Sequence, residues 1–433
     1  MDKRLEVREF ESITCNEDYK DKDDPHYKYL NQKTFEELES FILAFSEHEQ
    51  AEAMDFLKIS VRRHVGKVIQ ARNYVGLIQM KNGFQIQILP KVSSSEVEDT
   101  KKTFLQMLRS MKDFPSKVFN EAHLKIDKMN LYEIFINMYI QEVRNLMKKG
   151  LRSVYLPVQD NLNYYKGKLN VGEHIKRNLI HKERFYVGYD EFDINRPENR
   201  LIKSTLLKLQ KLSSSTANLK EIRQLLLHFE MVKPSSNYTR DFSLVVIDRN
   251  TEDYEALMQW SKVFLLNQSF TTFSGNTTAR ALLFPMEKVF EAYVAKHLKQ
   301  ALADLPWEVS TQDRGYYLID QPKKFALRPD IVITRHGQSP IVLDTKWKSL
   351  TNQPRKNYGI SQADMYQMYA YSKKYNTKEI WLLYPVNEEM KDLDIRFESL
   401  QDDAIETQVR LFFVDVANIE ESLAVLKERL SGY

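Results

Sequence analysis

The stretch LRPDIVITRHGQSPIVLDTKWK (residues 327–348) reads as two apolar β-runs, IVI and IVL, on either side of the turn-forming RHGQSP. A turn centred near Gly337 pairs the runs so that Asp330 falls across the ladder from about Asp344. Side chains alternate along a strand, so Asp344 and Lys346 share a face and Thr345 is expected to point away. Two adjacent carboxylates repel unless something positive lies between them. Oxygen ligands at this density suit Mg²⁺, which keeps several waters and borrows phosphate oxygens. The pattern therefore points to a phosphodiester site, with Lys346 positioning or deprotonating an attacking water or steadying charge that builds on the phosphate. The plainer reading makes Asp330 and Asp344 turn-flanking surface residues with Lys346 as their ion-pair partner. Against it, both carboxylates interrupt apolar runs, where an unused charge is costly. Residues 323–356 also hold eight Lys or Arg against those two Asp, a net of +6 that attracts phosphate.

Around this stretch, SQADMYQMYAYSKKY (361–375) reads as a helix on which Gln367 and Tyr371, four residues apart, share one face and look toward the carboxylates. The same spacing is what an ordinary packing face needs, with Met365, Met368 and Tyr369 alongside. Upstream, the helix expected over 282–302 places Glu287 and Glu291 on one face. Glu291, set among Val289, Phe290 and Val294, is the candidate third acidic ligand, or else a solvated helix charge. Further strands are expected at 315–319, 325–334, 340–347, 379–385 and 409–416, with a last helix over 419–430. Strands interspersed with helices argue an α/β domain with a mixed sheet.

The remainder of the chain has a different style. Residues 267–279 (NQSFTTFSGNTTA) are uncharged and rich in Ser and Thr, as a linker would be. Helical periodicity runs through 96–112, 131–149, 198–212, 218–232 and 253–266. YVGLIQM and FQIQILP flank Asn82-Gly83, a strong hairpin cue, after an amphipathic helix over 33–48 and a polar arm over 16–26. The 433 residues carry 42 % hydrophobic side chains and a net charge of +3, so the chain has ample material for two or three cores and is no polybasic binder. The charged MDKRLEVREF start and the lack of any run of about 18 apolar residues argue for a soluble, cytoplasmic protein without membrane contact. Cys15 is the only cysteine, which excludes an internal disulfide. Gly66-Lys67 and Gly167-Lys168 lack the preceding glycine of a phosphate-binding loop, so no nucleotide hydrolysis is expected of the chain itself, and the nine histidines lack zinc-ligand spacing.

Asp330, Asp344-Thr345-Lys346 and the Gln367/Tyr371 helix together resemble the PD-(D/E)XK nuclease signature in its RecB-type variant. More specifically, the chain resembles the McrC family, the nuclease subunit of McrBC-type modification-dependent restriction systems. The resemblance is carried by YVGLIQMKNGFQIQILPK (74–91), YYKGKLNVGEHIKRNLIHKERFYVGYDEFDINRPENRLIK (164–203), LLFPMEKVFEAYV (282–294), LRPDIVI with VLDTKWK, and DMYQMYAYSKKY (364–375). The first 60 or so residues match nothing recognisable.

The resemblance implies an α+β multidomain protein. Its parts are an N-terminal β-rich module (1–95), a helical middle (96–266) that meets a partner, a linker (267–279), and a C-terminal α/β PD-(D/E)XK endonuclease domain with a mixed central sheet (280–433). It implies a Mg²⁺-dependent endonuclease, Mn²⁺ substituting, that cuts methylated double-stranded DNA. The partner would be a McrB-like AAA+ GTPase ring that reads modified cytosine and whose GTP hydrolysis this subunit stimulates. By position, Asp330 and Asp344 would be metal ligands with Glu291 a weaker match, Lys346 the catalytic lysine, and Gln367 the trailing glutamine. Arg328, Lys348, Arg355, Lys356 and Tyr371 would contact DNA. The cationic and aromatic mixture over 164–186 suits phosphate contacts or a polar protein interface, and the Asn82-Gly83 hairpin would touch the ring. Two rival functions are a non-cleaving regulatory subunit that activates the GTPase and binds DNA, and a stand-alone RecB-type repair nuclease.

Overall fold

The computed structural model describes residues 4–46, 56–80, 82–91, 97–112, 114–115, 130–249, 251–266, 279–401 and 404–432. It is a mixed assembly of several sheets and helices in two compact units, one built from Met1–Phe114 with Gly275–Tyr433 and the other from Pro115–Ser274. Both ends of the sequence thus belong to a single unit. The linker expected at 267–279 lies outside the described residues up to 278, and Ala279 already opens a strand.

Two four-stranded sheets form the N-terminal part of the first unit. In one, Arg4–Arg8 pairs parallel with Gln85–Leu89, which pairs antiparallel with Tyr74–Met80, which pairs antiparallel with Ala279–Pro285. The hairpin turn closes where Asn-Gly places it. Gly83 adopts φ +82 and its N–H donates to the Met80 carbonyl at 3.0 Å; Lys81 lies outside the described residues. The other sheet runs Tyr27–Tyr29, Ser12–Thr14, Gly66–Ala71, Leu57–Arg62. Helix Gln32–Ser46 buries Phe35, Leu38, Phe41 and Ile42 in a core with Ile13, Ile69, Ile78 and Ile86 from both sheets.

The helix expected over 282–302 is instead a strand, Ala279–Pro285, followed by a helix, Met286–Ala301. A short apolar run does not reveal its period, and the deciding feature is remote. Gly76, at φ +144, lies so close to this strand that a Cβ there would come within 2.0 Å of the Leu282 carbonyl oxygen, a fit that only a bare backbone allows.

A six-stranded mixed sheet follows, in the order Trp307–Thr311, Ile331–Arg335, Ile341–Thr345, Glu379–Pro385, Ala404–Val414, Arg396–Gln401. The central two junctions, Ile341–Thr345 with Glu379–Pro385 and that strand with Ala404–Val414, are parallel; the others are antiparallel. Helix Gln362–Tyr375 packs Met368, Tyr371 and Tyr375 on the face bearing Val332, Val342, Ile380 and Leu382. Helices Met286–Ala301 and Ile419–Ser431 pack on each other and against strands Ile341–Thr345 and Ala404–Val414. The strands Trp307–Thr311 and Arg396–Gln401 were not expected; both are sheet edges with few apolar residues. The run expected at 325–334 is two strands: Lys324–Ala326 pairs with Tyr317–Ile319 in a separate hairpin, and Ile331–Arg335 enters the main sheet.

In the second unit, helices Leu131–Lys149, Pro197–Leu212, Thr216–His228, Tyr238–Leu244 and Glu255–Leu266 surround Tyr139, Leu206, Ile222 and Trp260. Three strands, Val154–Leu162, Phe185–Asp193 and Lys168–Leu169, with the short helix Val171–Asn178, interrupt a region read as helical. Their charged, weakly alternating sequences hid them. Among the described residues, no helix is long and apolar enough to cross a membrane.

Candidate active site

Strand register sets the first two groups. Ile331 pairs with Leu343 and Val332 with Val342, so the ladder extended one step outward puts Asp330 opposite Asp344. The turn between the strands contains Gly337 at φ +73, where a left-handed residue is needed. Asp344 shares the face of Val342, the side covered by helix Gln362–Tyr375, and is 1 % exposed.

Thr345 does not simply point away. Asp330 precedes its strand, so its carboxylate is free of the pleat, and its Oδ2 accepts both the Thr345 backbone N–H and the Thr345 hydroxyl, each at 2.7 Å. Lys346 follows the end of the strand. Its N–H donates to the Leu383 carbonyl at 2.8 Å, and its Nζ meets Asp344 Oδ2 as an ion pair and donates to Gln367 Oε1 at 3.2 Å. Gln367 Nε2 in turn donates to the Tyr371 hydroxyl at 2.7 Å. Asp344, Lys346, Gln367 and Tyr371 thus form one chain of polar contacts from sheet to helix.

Burial, followed by the charge of Asp330, pushes the Asp344 carboxyl up to about 7, with Lys346 opposing. Burial also raises Asp330, against its hydrogen bonds from Thr345. Burial pulls Lys346 down, but Asp344 and Asp330 more than offset this and its ammonium is held above its usual range. Glu291 is raised to about 7, by burial and then by the charge of Asp330, while its carboxylate accepts from Gln312 Nε2. Three acids that hold protons this firmly form a site short of positive charge. Among the described residues no three Asp, Glu, His or Cys side chains form a ready-made metal cage. Two carboxylates are nevertheless what Mg²⁺ commonly takes from a protein, the rest of its shell being water and phosphate oxygen. The buried Asp344 Oδ2 is held by the Lys346 ammonium, so a cation bound by Asp330 and Asp344 would take its place beside that lysine.

The remaining sequence candidates scatter. Arg328, Arg355 and Lys356 are exposed, the last two in the turn Pro354–Gly359. Lys348 is half-exposed and pairs with Asp364 at 2.8 Å. Tyr371, expected among DNA contacts, is 1 % exposed with its hydroxyl bonded to Gln367, so it positions that side chain rather than meeting a ligand. In the 164–186 block, Glu173 pairs with Lys176 and Arg177, Lys166 lies 3.8 Å from the Tyr189 ring centre, and Arg177 lies 4.9 Å from that of Tyr186.

Sequence reasoning missed Thr345 as a partner of Asp330, and Asp364 as a partner of Lys348. It also missed Glu9, whose two carboxylate oxygens accept the Trp347 indole N–H at 3.1 and 3.0 Å. Burial raises Glu9 to about 8 against hydrogen bonds from Lys91 and Trp347. Asp364 carried a signal, since Ser361 caps its helix by accepting the Asp364 N–H; Glu9, 338 residues from Trp347, carried none.

A family model for the McrBC 5-methylcytosine restriction system component matches residues 69–385. The chain belongs to this family. The matched range contains Asp330, Asp344, Lys346 and Gln367, and the first 68 residues lie outside it. This McrBC component also shares its fold with a refined half-complex from the tetradecameric assembly of Thermococcus gammatolerans McrB AAA+ hexamers with bound McrC. The TM-score is 0.72 at 19 % identity, over 99 % of this chain and 100 % of the other. A second neighbour, from the cryo-EM structure of the Thermococcus gammatolerans McrBC complex, has a TM-score of 0.51 at 21 % identity, covering 70 % of this chain and 88 % of that one. No curated protein matches the chain by sequence.

Proposed function

We propose that the chain is the DNA-cutting subunit of a McrBC-type restriction system, a Mg²⁺-dependent endonuclease of the PD-(D/E)XK type housed in residues 280–433. The observation that carries this reading is the meeting of Asp330, Asp344 and Lys346 at the end of two neighbouring strands, with Asp344 buried and its Oδ2 paired to the Lys346 ammonium. Asp330 and Asp344 would hold Mg²⁺, or Mn²⁺ in its place, with Glu291 nearby; when bound, the ion would polarise the phosphodiester and make water a better nucleophile.

The chain's own residues do the rest. Lys346, kept charged by Asp344, faces the phosphate as a fixed positive group and stabilises charge developing there. Gln367 aims Lys346, Tyr371 holds Gln367, and Thr345 holds Asp330. Arg328, Arg355 and Lys356 lie on the surface, ready to meet the backbone of methylated double-stranded DNA. The fold likeness to an McrB-bound McrC supports a McrB-like AAA+ GTPase ring as partner, with the N-terminal module, the middle region, or both in contact with it and GTP hydrolysis stimulated by that contact.

Cleavage of methylated plasmid by the purified chain, with its AAA+ partner, GTP and Mg²⁺, tests the reading. Cutting is expected only with all components present, and neither Asp344→Ala nor Lys346→Ala should cut. GTPase stimulation without any cutting by the wild type would make the chain a regulatory subunit; cutting of DNA ends without partner or GTP would make it a stand-alone nuclease.

A further inference from the structure

The hairpin of Tyr317–Ile319 and Lys324–Ala326 has a surface that its own folding does not explain. A two-stranded hairpin gains stability by burying apolar side chains, yet here they face water. Phe325 is 71 % exposed, Ile319 46 % and Leu318 45 %, whereas the preceding Tyr316 packs its ring on Tyr375. Tyr317 pairs with Ala326 and Ile319 with Lys324, so Leu318 and Phe325 stand opposite each other between these pairs. Phe325 also adopts φ +58, a left-handed backbone that is costly for a bulky residue. An exposed aromatic on a strained backbone is a feature that folding alone would remove.

The charge around it selects the occupant. Arg314, Lys323, Lys324 and Arg328 are all exposed. The two nearby acids are occupied elsewhere: Asp313 accepts from the Tyr375 hydroxyl at 2.8 Å, and Asp320 pairs with Lys374 at 2.7 Å. Lysine is depleted at protein–protein interfaces, whereas a cationic rim around an apolar tip is the pattern of proteins that wedge side chains between base pairs. The chain runs from the hairpin into the proposed active site, with Leu327 donating back to the Tyr316 carbonyl at 2.9 Å. Asp330 comes five residues after Phe325, a reach of at most about 18 Å. On DNA that is about five base steps.

We propose that this hairpin is a DNA-contacting wedge: Leu318 and Phe325 press on bases within about five steps of the scissile phosphate, while Lys323, Lys324 and Arg328 hold the flanking backbone. The distance to the cleaved bond rests on the nuclease reading; the DNA contact stands by itself.

The test measures binding of the full-length chain to a fluorescent 40-base-pair duplex in EDTA, over a series of salt concentrations. The double variant Leu318→Ala/Phe325→Ala is expected to bind about tenfold more weakly, the scale of one lost stacking contact, with the salt slope unchanged. Lys323→Ala/Lys324→Ala should lower that slope by about two. In the complex with the AAA+ ring, Phe325→p-benzoylphenylalanine should cross-link to DNA on irradiation. Wild-type affinity in the apolar double variant, failure of the wild-type chain to bind duplex, or a cross-link to the ring instead of DNA would each overturn the proposal. Asp344→Ala separates the two readings: if it still cuts while the apolar variant loses affinity, the nuclease assignment falls and the wedge stands.

Discussion

Glu133, in the helical unit, and Asp344, at the end of a sheet strand in the other unit, are both almost wholly buried, at 4 % and 1 % exposed. Their surroundings are opposite in kind. Glu133 accepts five hydrogen bonds, from the Ser213 hydroxyl, the Ser214 N–H and hydroxyl, the Ser215 N–H and the Asn218 amide. It tethers the loop between Pro197–Leu212 and Thr216–His228 to Leu131–Lys149, and its charge is compensated by donors that come with the fold. Asp344 has a single ammonium, that of Lys346, on one oxygen, a carboxylate neighbour whose charge opposes its own, and a pKa pushed up to about 7. One acid is surrounded by donors that hold the protein together; the other is buried beside a second acid with one ammonium close by. Burial alone does not mark a functional carboxylate, whereas burial next to a like charge points to one.

The largest effect expected from this contrast is on cutting. Asp344→Ala should reduce DNA cleavage by about a thousandfold or more, as loss of a group central to transition-state stabilisation does, with the circular-dichroism spectrum of the folded protein preserved. Glu133→Ala should do the reverse. It leaves several buried donors unpaired and should cost about 3 kcal/mol of stability, read from chemical denaturation, while the fraction that stays folded cuts normally. A pair of variants with the roles exchanged would break the comparison.

The pH dependence sharpens it. Asp344 binds its proton more tightly folded, at about 7, than at its ordinary value of 3.8, so this contribution to stability is complete below about pH 4 and is lost as pH rises through about 7. In EDTA, Asp344→Asn should therefore gain thermal midpoint relative to wild type between about pH 4 and 7, Glu291 being common to both proteins. Adding Mg²⁺ should raise the wild-type midpoint at neutral pH and leave the variant's unmoved. A constant difference across that pH range would show that Asp344 is compensated as Glu133 is.

Smaller still is the effect of the polar chain behind Lys346. Tyr371→Phe deletes the hydroxyl that fixes the Gln367 amide and should lower the cleavage rate about tenfold, a loss of roughly one hydrogen bond's worth of aim, without weakening DNA binding. Lys348→Ala, by contrast, removes an ion pair with Asp364 on a partly exposed side chain and should change stability by less than about 1 kcal/mol.

Legibility in the sequence followed the range of the interactions involved. The hairpin at Asn82-Gly83 and the strands flanking Gly337 could be read because each turn states its own geometry within a few residues. Gln367 and Tyr371 could be placed on one face by helical spacing alone, but not the fact that Tyr371 is sealed in, which depends on the sheet beneath. The strand Ala279–Pro285 was misread because its apolar run suits either period, and only pairing with Tyr74–Met80, some 200 residues earlier, decides between them. The basic residues around 323–328 could be read from the sequence, but Phe325 and Leu318 went unremarked because exposure is no property of a residue type.

By itself the sequence determined the elements around the site, the register that brings Asp330 level with Asp344, and the family, since all of these are written in local spacing and motif order. Only the tertiary structure decided which acids are buried side by side, which lysine stays charged, and that Glu9 at one end of the chain grips Trp347 beside the candidate catalytic lysine. The physical reason is that desolvation and hydrogen-bond satisfaction depend on every atom within a few ångströms, and folding brings most of those atoms from distant parts of the chain.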